Sequence, residues 1–198
     1  MKPDLTFIIS PLQLKFFHFI LQQGIRVQTS VGETVRDFLL NRLGLQPLDI
    51  EEKIQTVFLN GKAVDDLDQA FLTEGSSLAL SGALPGLVGA TMRRGGFYSS
   101  LRNPINYQSE QEERCRREGL IELKLFNILL KELGPGILAR GFLIEASKLQ
   151  DFLRRNESEL GHDCHIRRED GSEISCRDWS TVPMDGSGPF LSAEVITR

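Results

Sequence analysis

The residues with the most specific chemistry here are three cysteines, three histidines and one diglycine. Cys164 and Cys176 fall in the stretch CHIRREDGSEISC. Two thiols there can form a redox pair or, joined by imidazoles from His162 or His165, bind zinc. Cys115 lies among arginines, which favour a thiolate, but it has no resolving cysteine or base close in sequence. His18, His162 and His165 form neither an HExxH nor a Cys-His-Asn pattern, and G-x-S-x-G and phosphate-binding loops are absent. The expectation is a protein that is not an enzyme and uses no cofactor. The diglycine, Gly95-Gly96, follows Arg93-Arg94 in GALPGLVGATMRRGGFYSS, a run that also contains Pro85, Gly86 and Gly89.

The elements around the cysteines decide how they meet. CHIRREDGSEISC reads as a β-hairpin. A three-residue loop, Glu169 to Gly171 with glycine in the left-handed position, sets Ile166 against Ile174, Arg167 against Glu173 and Cys164 against Cys176. A two-residue loop would oppose Ile166 and Ser175 and mix apolar with polar positions on one face, which a half-buried sheet disfavours. Alternation sends His165 to the face opposite Cys164, and no CxxC is present, so no metal is expected. The thiols then act as small apolar side chains, or join in a reversible disulfide where geometry permits.

The chain has 198 residues, 40% hydrophobic and 25% charged, and a formal net charge of −4. These values suit a globular protein without general attraction to nucleic acid or anionic membranes. The apolar N-terminus, MKPDLTFIISPLQLKFFHFILQQG, is interrupted by Pro11, Gln13, Lys15 and His18 and lacks a small-x-small cleavage pattern. No membrane association is expected, and the expected location is the cytoplasm; an odd, small number of cysteines agrees with that. No internal repeat is visible. Glycine and proline cluster between Ser81 and Tyr107, giving an expected division into a domain over 1–84, a linker or tail over 85–107 and a second domain over 108–198.

In the first part, QLKFFHFIL and IRVQTS read as two strands of a hairpin. ETVRDFLLNRLG follows as a helix with Thr34 as N-cap and Gly44 at its end. VFLNGKAV holds the Asn60-Gly61 hairpin turn, and LTEGSSLAL a Glu74-Gly75 turn before a strand. In the second part, SEQEERCRREGLIELKLFNILLKELG reads as a helix stopped by Gly134-Pro135-Gly136, ILARGFLIEA as a strand, SKLQDFLRRN as a short amphipathic helix opened by a Ser147/Gln150 capping box, and FLSAEVIT as a final strand. The whole is α+β.

The ordered set IRVQTSVGETVRDFLLNRLGL, VFLNGKAV and LTEGSSLALSGALPGLVGA resembles the β-grasp, ubiquitin-like sulfur carriers: the small subunit of molybdopterin synthase and the thiamine-biosynthesis sulfur carrier. The resemblance covers about residues 12–96, and it implies an N-terminal β-grasp domain. It also implies a functional tail, whose terminal glycines enter a narrow channel of an adenylating enzyme and whose free carboxylate becomes a thiocarboxylate. PGLVGA matches that tail by position but ends in Gly89-Ala90. Gly95-Gly96 has the right dipeptide but comes late, and its amide to Phe97 cannot be adenylated.

The principal expectation is therefore a non-enzymatic protein-protein interaction module that binds a protein partner through its β-grasp surface and the residues Pro85, Gly86, Gly89, Arg93, Arg94, Gly95 and Gly96. One alternative is a sulfur-carrier precursor, cleaved after Gly96 and served by an adenylating or sulfur-transfer enzyme. Another is a ligand-binding or redox-responsive module built on Cys164 and Cys176.

Overall fold

The computed structural model describes residues 3–99, 101–102, 106–107, 117–160, 163–181 and 190–197. Cys115 and His162 lie outside the described residues. In chain order the elements are β1 (Leu5–Ile9), α1 (Leu14–Gln23), β2 (Ile25–Val31), α2 (Val35–Asp37, continued by a π-helical turn Phe38–Arg42), α3 (Pro47–Lys53), β3 (Thr56–Leu59), β4 (Lys62–Ala63), β5 (Ser77–Ser81) and α4 (Gly86–Met92). Then come β6 (Arg117–Phe126), α5 (Leu129–Glu132), α6 (Gly134–Ala139), β7 (Phe142–Glu145), α7 (Ala146–Arg155), α8 (Glu157–Leu160), β8 (His165–Arg168), β9 (Glu173–Ser175), a 3-10 helix (Cys176–Thr181) and β10 (Phe190–Thr197). The fold is α+β, with two compact units: a split unit, Met1–Ile25 with Leu133–Arg198, and a continuous unit, Arg26–Glu132. The composition break after Ser81 thus falls inside the continuous unit, because the glycine-rich stretch connects two strands of one sheet.

The sheet of the continuous unit has the order β2-β6-β5-β3-β4. β5 runs parallel to β6, pairing Ser77 with Glu122 and Leu80 with Leu125, and antiparallel to β3. Val57, Leu59, Leu78, Leu80, Ile121, Leu123 and Leu125 are buried on one face, with Val35, Phe38, Leu39, Ile50 and Leu67 in the same core. Locally the sequence logic holds. Thr34 caps α2 by accepting a hydrogen bond from the Asp37 N–H at 3.0 Å, and Asn60 (φ 51°) and Gly61 (φ 76°) both take the left-handed conformation of the β3–β4 turn.

Several elements differ from the sequence expectation. ILARGFLIEA is a strand only over Phe142–Glu145, with Ile137 to Ala139 in α6, and α4 lies within the expected linker. QLKFFHFIL is helix, not strand: α1 buries Phe17, Ile20 and Leu21 in the split unit and leaves His18 half-buried. A cluster of large apolar residues suits the inner face of a helix as well as a strand, and here i, i+3 and i+4 spacing decides. REGLIELKLF, expected as helix, is the long strand β6, whose Ile121, Leu123 and Leu125 alternate with Glu122 and Lys124.

The sheet of the split unit has the order β7-β10-β1-β8-β9. β1 is parallel to β10 and antiparallel to β8, and β10 is antiparallel to β7. Every residue of β1 is buried, as a central strand requires; four of the five are apolar, and the Thr6 hydroxyl donates to Glu194 Oε1 at 2.9 Å. Phe7, Phe17 and Phe152 meet in the core with ring centroids 5.4 and 5.0 Å apart. α7 turns Leu149, Phe152 and Leu153 inward as expected, but Glu145, not Ser147, occupies its N-cap position, and no side chain caps it. Pro135 stands in the first turn of α6 instead of ending a helix.

The two units repeat one plan. In each, a strand (β2 or β7) leads into a helix, a hairpin follows (β3–β4 or β8–β9), and two parallel strands (β5 with β6, β1 with β10) lie between that strand and the hairpin. The repeat lies in topology alone, which is why no sequence period reveals it. It also differs in one connection: residues 82–116 join the central pair of the continuous unit, whereas β1 and β10 are the first and last strands of the chain.

Candidate functional site

The crossover that leaves β5 holds all the tail residues named from sequence. Pro85 precedes α4, and Gly86 opens it with φ 74°. Gly89 is buried against the backbone of Leu84, and an added Cβ would collide with the Leu84 carbonyl. Gly is therefore required at 89 for close approach. After α4 the chain is pinned. Arg94 N–H donates to the Gln55 carbonyl at 2.8 Å, and its guanidinium donates to the Ile50 carbonyl at 3.2 Å and to Glu51 Oε2 at 2.9 Å. Gly95 N–H donates to Asp65 Oδ1 at 2.9 Å, and the same oxygen accepts from Arg102, whose side chain is buried. Gly96 N–H returns to the Arg93 carbonyl at 3.1 Å, so the diglycine forms a tight turn rather than an extended tail.

Further on, Ala63 of β4 bridges to Asn106, and Tyr107 N–H donates to the Ala63 carbonyl at 2.8 Å. The crossover thus covers the edge strand and satisfies part of its open backbone.

Between the crossover and the ends of α3 and β4 lies an open cavity of about 680 Å³, lined by Glu51, Asp65, Leu84, Arg93, Tyr98 and the backbone of Gly95-Gly96, among others. Its carboxylates are engaged: Glu51 by Arg36 and Arg94, Asp65 by Gly95 and Arg102. Arg93 is exposed, and its guanidinium has no ion pair among the described residues. The surface beside the cavity is apolar: Leu87, Val88, Phe97 and Leu101 are 72%, 69%, 90% and 70% exposed, and Tyr98 stacks edge-on against Phe97 with centroids 5.1 Å apart.

Sequence reasoning placed Pro85, Gly86, Gly89 and Arg93 to Gly96 together, and the crossover gathers all of them except Pro85 around this cavity. It missed Glu51, Gln55 and Asp65, which do the holding, and the apolar residues between the glycines. The available signal was four large apolar side chains in a stretch whose glycine content suggests a solvated connector.

The hydrogen bond from Arg36 holds the Glu51 carboxyl below the usual carboxylate range; burial opposes this and Arg94 adds to it. A depressed folded pKa contributes stability above the ordinary carboxylate pKa and loses it as pH falls through the folded value. Glu51→Gln is therefore expected to destabilise the chain near neutral pH by about 1 kcal/mol or less, since the carboxylate is half exposed, and the difference from wild type should close in acid. Thermal midpoints of both proteins across that pH range check it.

The second candidate lies in the split unit. β8 and β9 pair Ile166 with Ile174 and Arg167 with Glu173, the three-residue-loop register, with Gly171 at φ 86°. Arg167 donates to Glu173 Oε1 at 2.9 and 2.7 Å, while His165 is exposed on the face away from buried Cys164. Cys176 N–H donates to the Cys164 carbonyl, the Cα atoms are 5.4 Å apart, and the two sulfurs are joined as a disulfide. The twelve-residue separation makes this a staple worth about 3 kcal/mol on the chain-entropy account. Cys164→Ser with Cys176→Ser, or a dithiol reductant, is expected to lower stability by about that amount, read by denaturant unfolding. Among the described residues no group of three His, Cys, Asp or Glu side chains is gathered as metal ligands, and no helix is long and apolar enough to cross a membrane.

Comparison with family models, curated proteins and solved structures finds no match.

Proposed function

We propose that this chain is a non-enzymatic protein-binding protein, that its continuous unit is a β-grasp module whose first strand is supplied by β6, and that residues 82–99 with Leu101 are its docking element. The observation that carries the reading is the combination of exposure and order in that segment. Leu87, Val88, Phe97 and Leu101 stand in solvent on a backbone fixed by Arg94 and Asp65. Clustered exposed apolar side chains favour association, and a surface ordered in advance loses little further entropy on binding. The strand order β2-β6-β5-β3-β4, with a helix after β2, supports the β-grasp reading.

A photocrosslinking residue in place of Phe97, in the full chain expressed in its native cell, tests the proposal. One dominant protein adduct is expected, and it should vanish when Leu87→Asp and Leu101→Asp are added. A yield no greater than from a crosslinker at exposed Gln28 would refute the docking element.

The sulfur-carrier reading is a different proposal with a heavier structural requirement. Cleavage after Gly96 would sever β5 from β6, so the released carrier would lose the strand paired along the whole of β5 unless the fragment stayed bound. Intact-mass measurement of protein from its native cell tests it: a species ending at Gly96 with an oxygen-to-sulfur mass gain supports it, and full-length protein alone counts against it.

A further inference from the structure

We propose a second, unrelated site in the split unit, which binds a small apolar carboxylate between α1 and α7. A cavity of about 120 Å³ opens there. Its floor is Ile20, Ile144 and Phe152, which are 3%, 4% and 1% exposed, and its wall is Phe19, a large ring left 40% exposed on a helix whose Phe17 is fully buried. Water gains few hydrogen bonds against such walls, so an apolar group displaces it readily.

The charges at the mouth choose the rest of the ligand. Lys148 is paired with Glu145 at 3.2 Å, and Asp151 lies 3.6 Å from Arg154. Arg155 differs from both. Its guanidinium carbon sits 6.0 Å from the Phe19 ring centroid, and it has no ion pair among the described residues. The uncommitted charge at this opening is therefore a planar cation with donors free to bind a carboxylate through two hydrogen bonds. A cavity of roughly 150 Å³ accommodates benzene, so the tail that fits here is no larger than a phenyl or branched four-carbon group. Benzoate and 3-methylbutanoate have both parts; sugars and nucleotides exceed the volume.

Titration of the full chain with benzoate, followed by amide NMR, tests the site. Shift changes are expected to centre on residues 19–24 and 148–155, with dissociation in the millimolar range that a ligand of this size supports. Benzamide, which keeps the ring without the charge, and Arg155→Met, an exposed substitution that should leave the thermal midpoint unchanged, should each weaken binding by about tenfold or more, since at least one charge-assisted hydrogen bond is lost. Binding of acetate as tight as benzoate would mean a charged patch without a pocket, and would overturn the proposal. So would unchanged benzoate affinity in Arg155→Met, or no shifts around α1 and α7 at saturating benzoate.

Discussion

Leu123→Asp is expected to unfold the continuous unit, although residue 123 lies well beyond the sequence that resembles a complete carrier domain. Leu123 is fully buried and pairs with Leu78 at the centre of the sheet. Removing a buried leucine costs about 2–5 kcal/mol, and leaving an unpaired carboxylate in its place adds several more. The sum is comparable to the whole stability of an ordinary domain. Circular dichroism should show loss of strand signal, and hydrogen exchange of peptides from residues 26–96 should approach the rate of unstructured chain. If residues 12–96 made a self-sufficient sheet, those peptides would stay protected. Glu122→Gln, on the half-exposed face of the same strand, should change little.

Arg94→Ala is expected to release the crossover while leaving the unit folded. The side chain is 10% exposed and donates to two kinds of acceptor, the Ile50 carbonyl and the Glu51 carboxylate. The bond to the half-exposed Glu51 carboxylate contributes about 1 kcal/mol or less and the one to the Ile50 carbonyl about 1.5 kcal/mol, so local opening around Gly95-Gly96 should become more frequent by up to about a hundredfold. Limited proteolysis under native conditions should cut the variant between residues 93 and 98 at a correspondingly higher rate, with only a small change in the global thermal midpoint. The Phe97 crosslink should weaken in parallel, because the docking side chains lose their fixed backbone. Equal proteolysis of wild type and variant would mean that Arg94 does not hold the segment.

What the sequence made legible was local. Thr34, Gly44, Asn60-Gly61 and Gly171 each carry a conformational preference strong enough to mark a cap or a turn without knowledge of the rest, and the Cys164/Cys176 pairing followed from a loop length and the alternation of two isoleucines. What stayed hidden was decided by partners distant in sequence. The apolar residues of QLKFFHFIL suit a strand as well as a helix, those of REGLIELKLF alternate only from Ile121 to Leu125, and each segment took the form that let it bury them: the first against Phe7 and Phe152, the second beside β5. The candidate site was legible as a place and not as a mechanism. Glycines marked the crossover, but Asp65 and Glu51, which turn it from a loose connector into a held surface, are ordinary carboxylates in sequence and gain meaning only where Gly95 and Arg94 reach them.

The most direct measurement is residue-resolved hydrogen exchange of the unmodified full chain. Amides along residues 121–126 are expected to rank with those of β5 among the slowest, and Arg94 N–H and Gly95 N–H to be protected while Phe97 N–H exchanges freely. Exchange across 121–126 and at Arg94 as fast as in unstructured chain would contradict this, leaving neither a sheet completed by β6 nor an ordered docking segment.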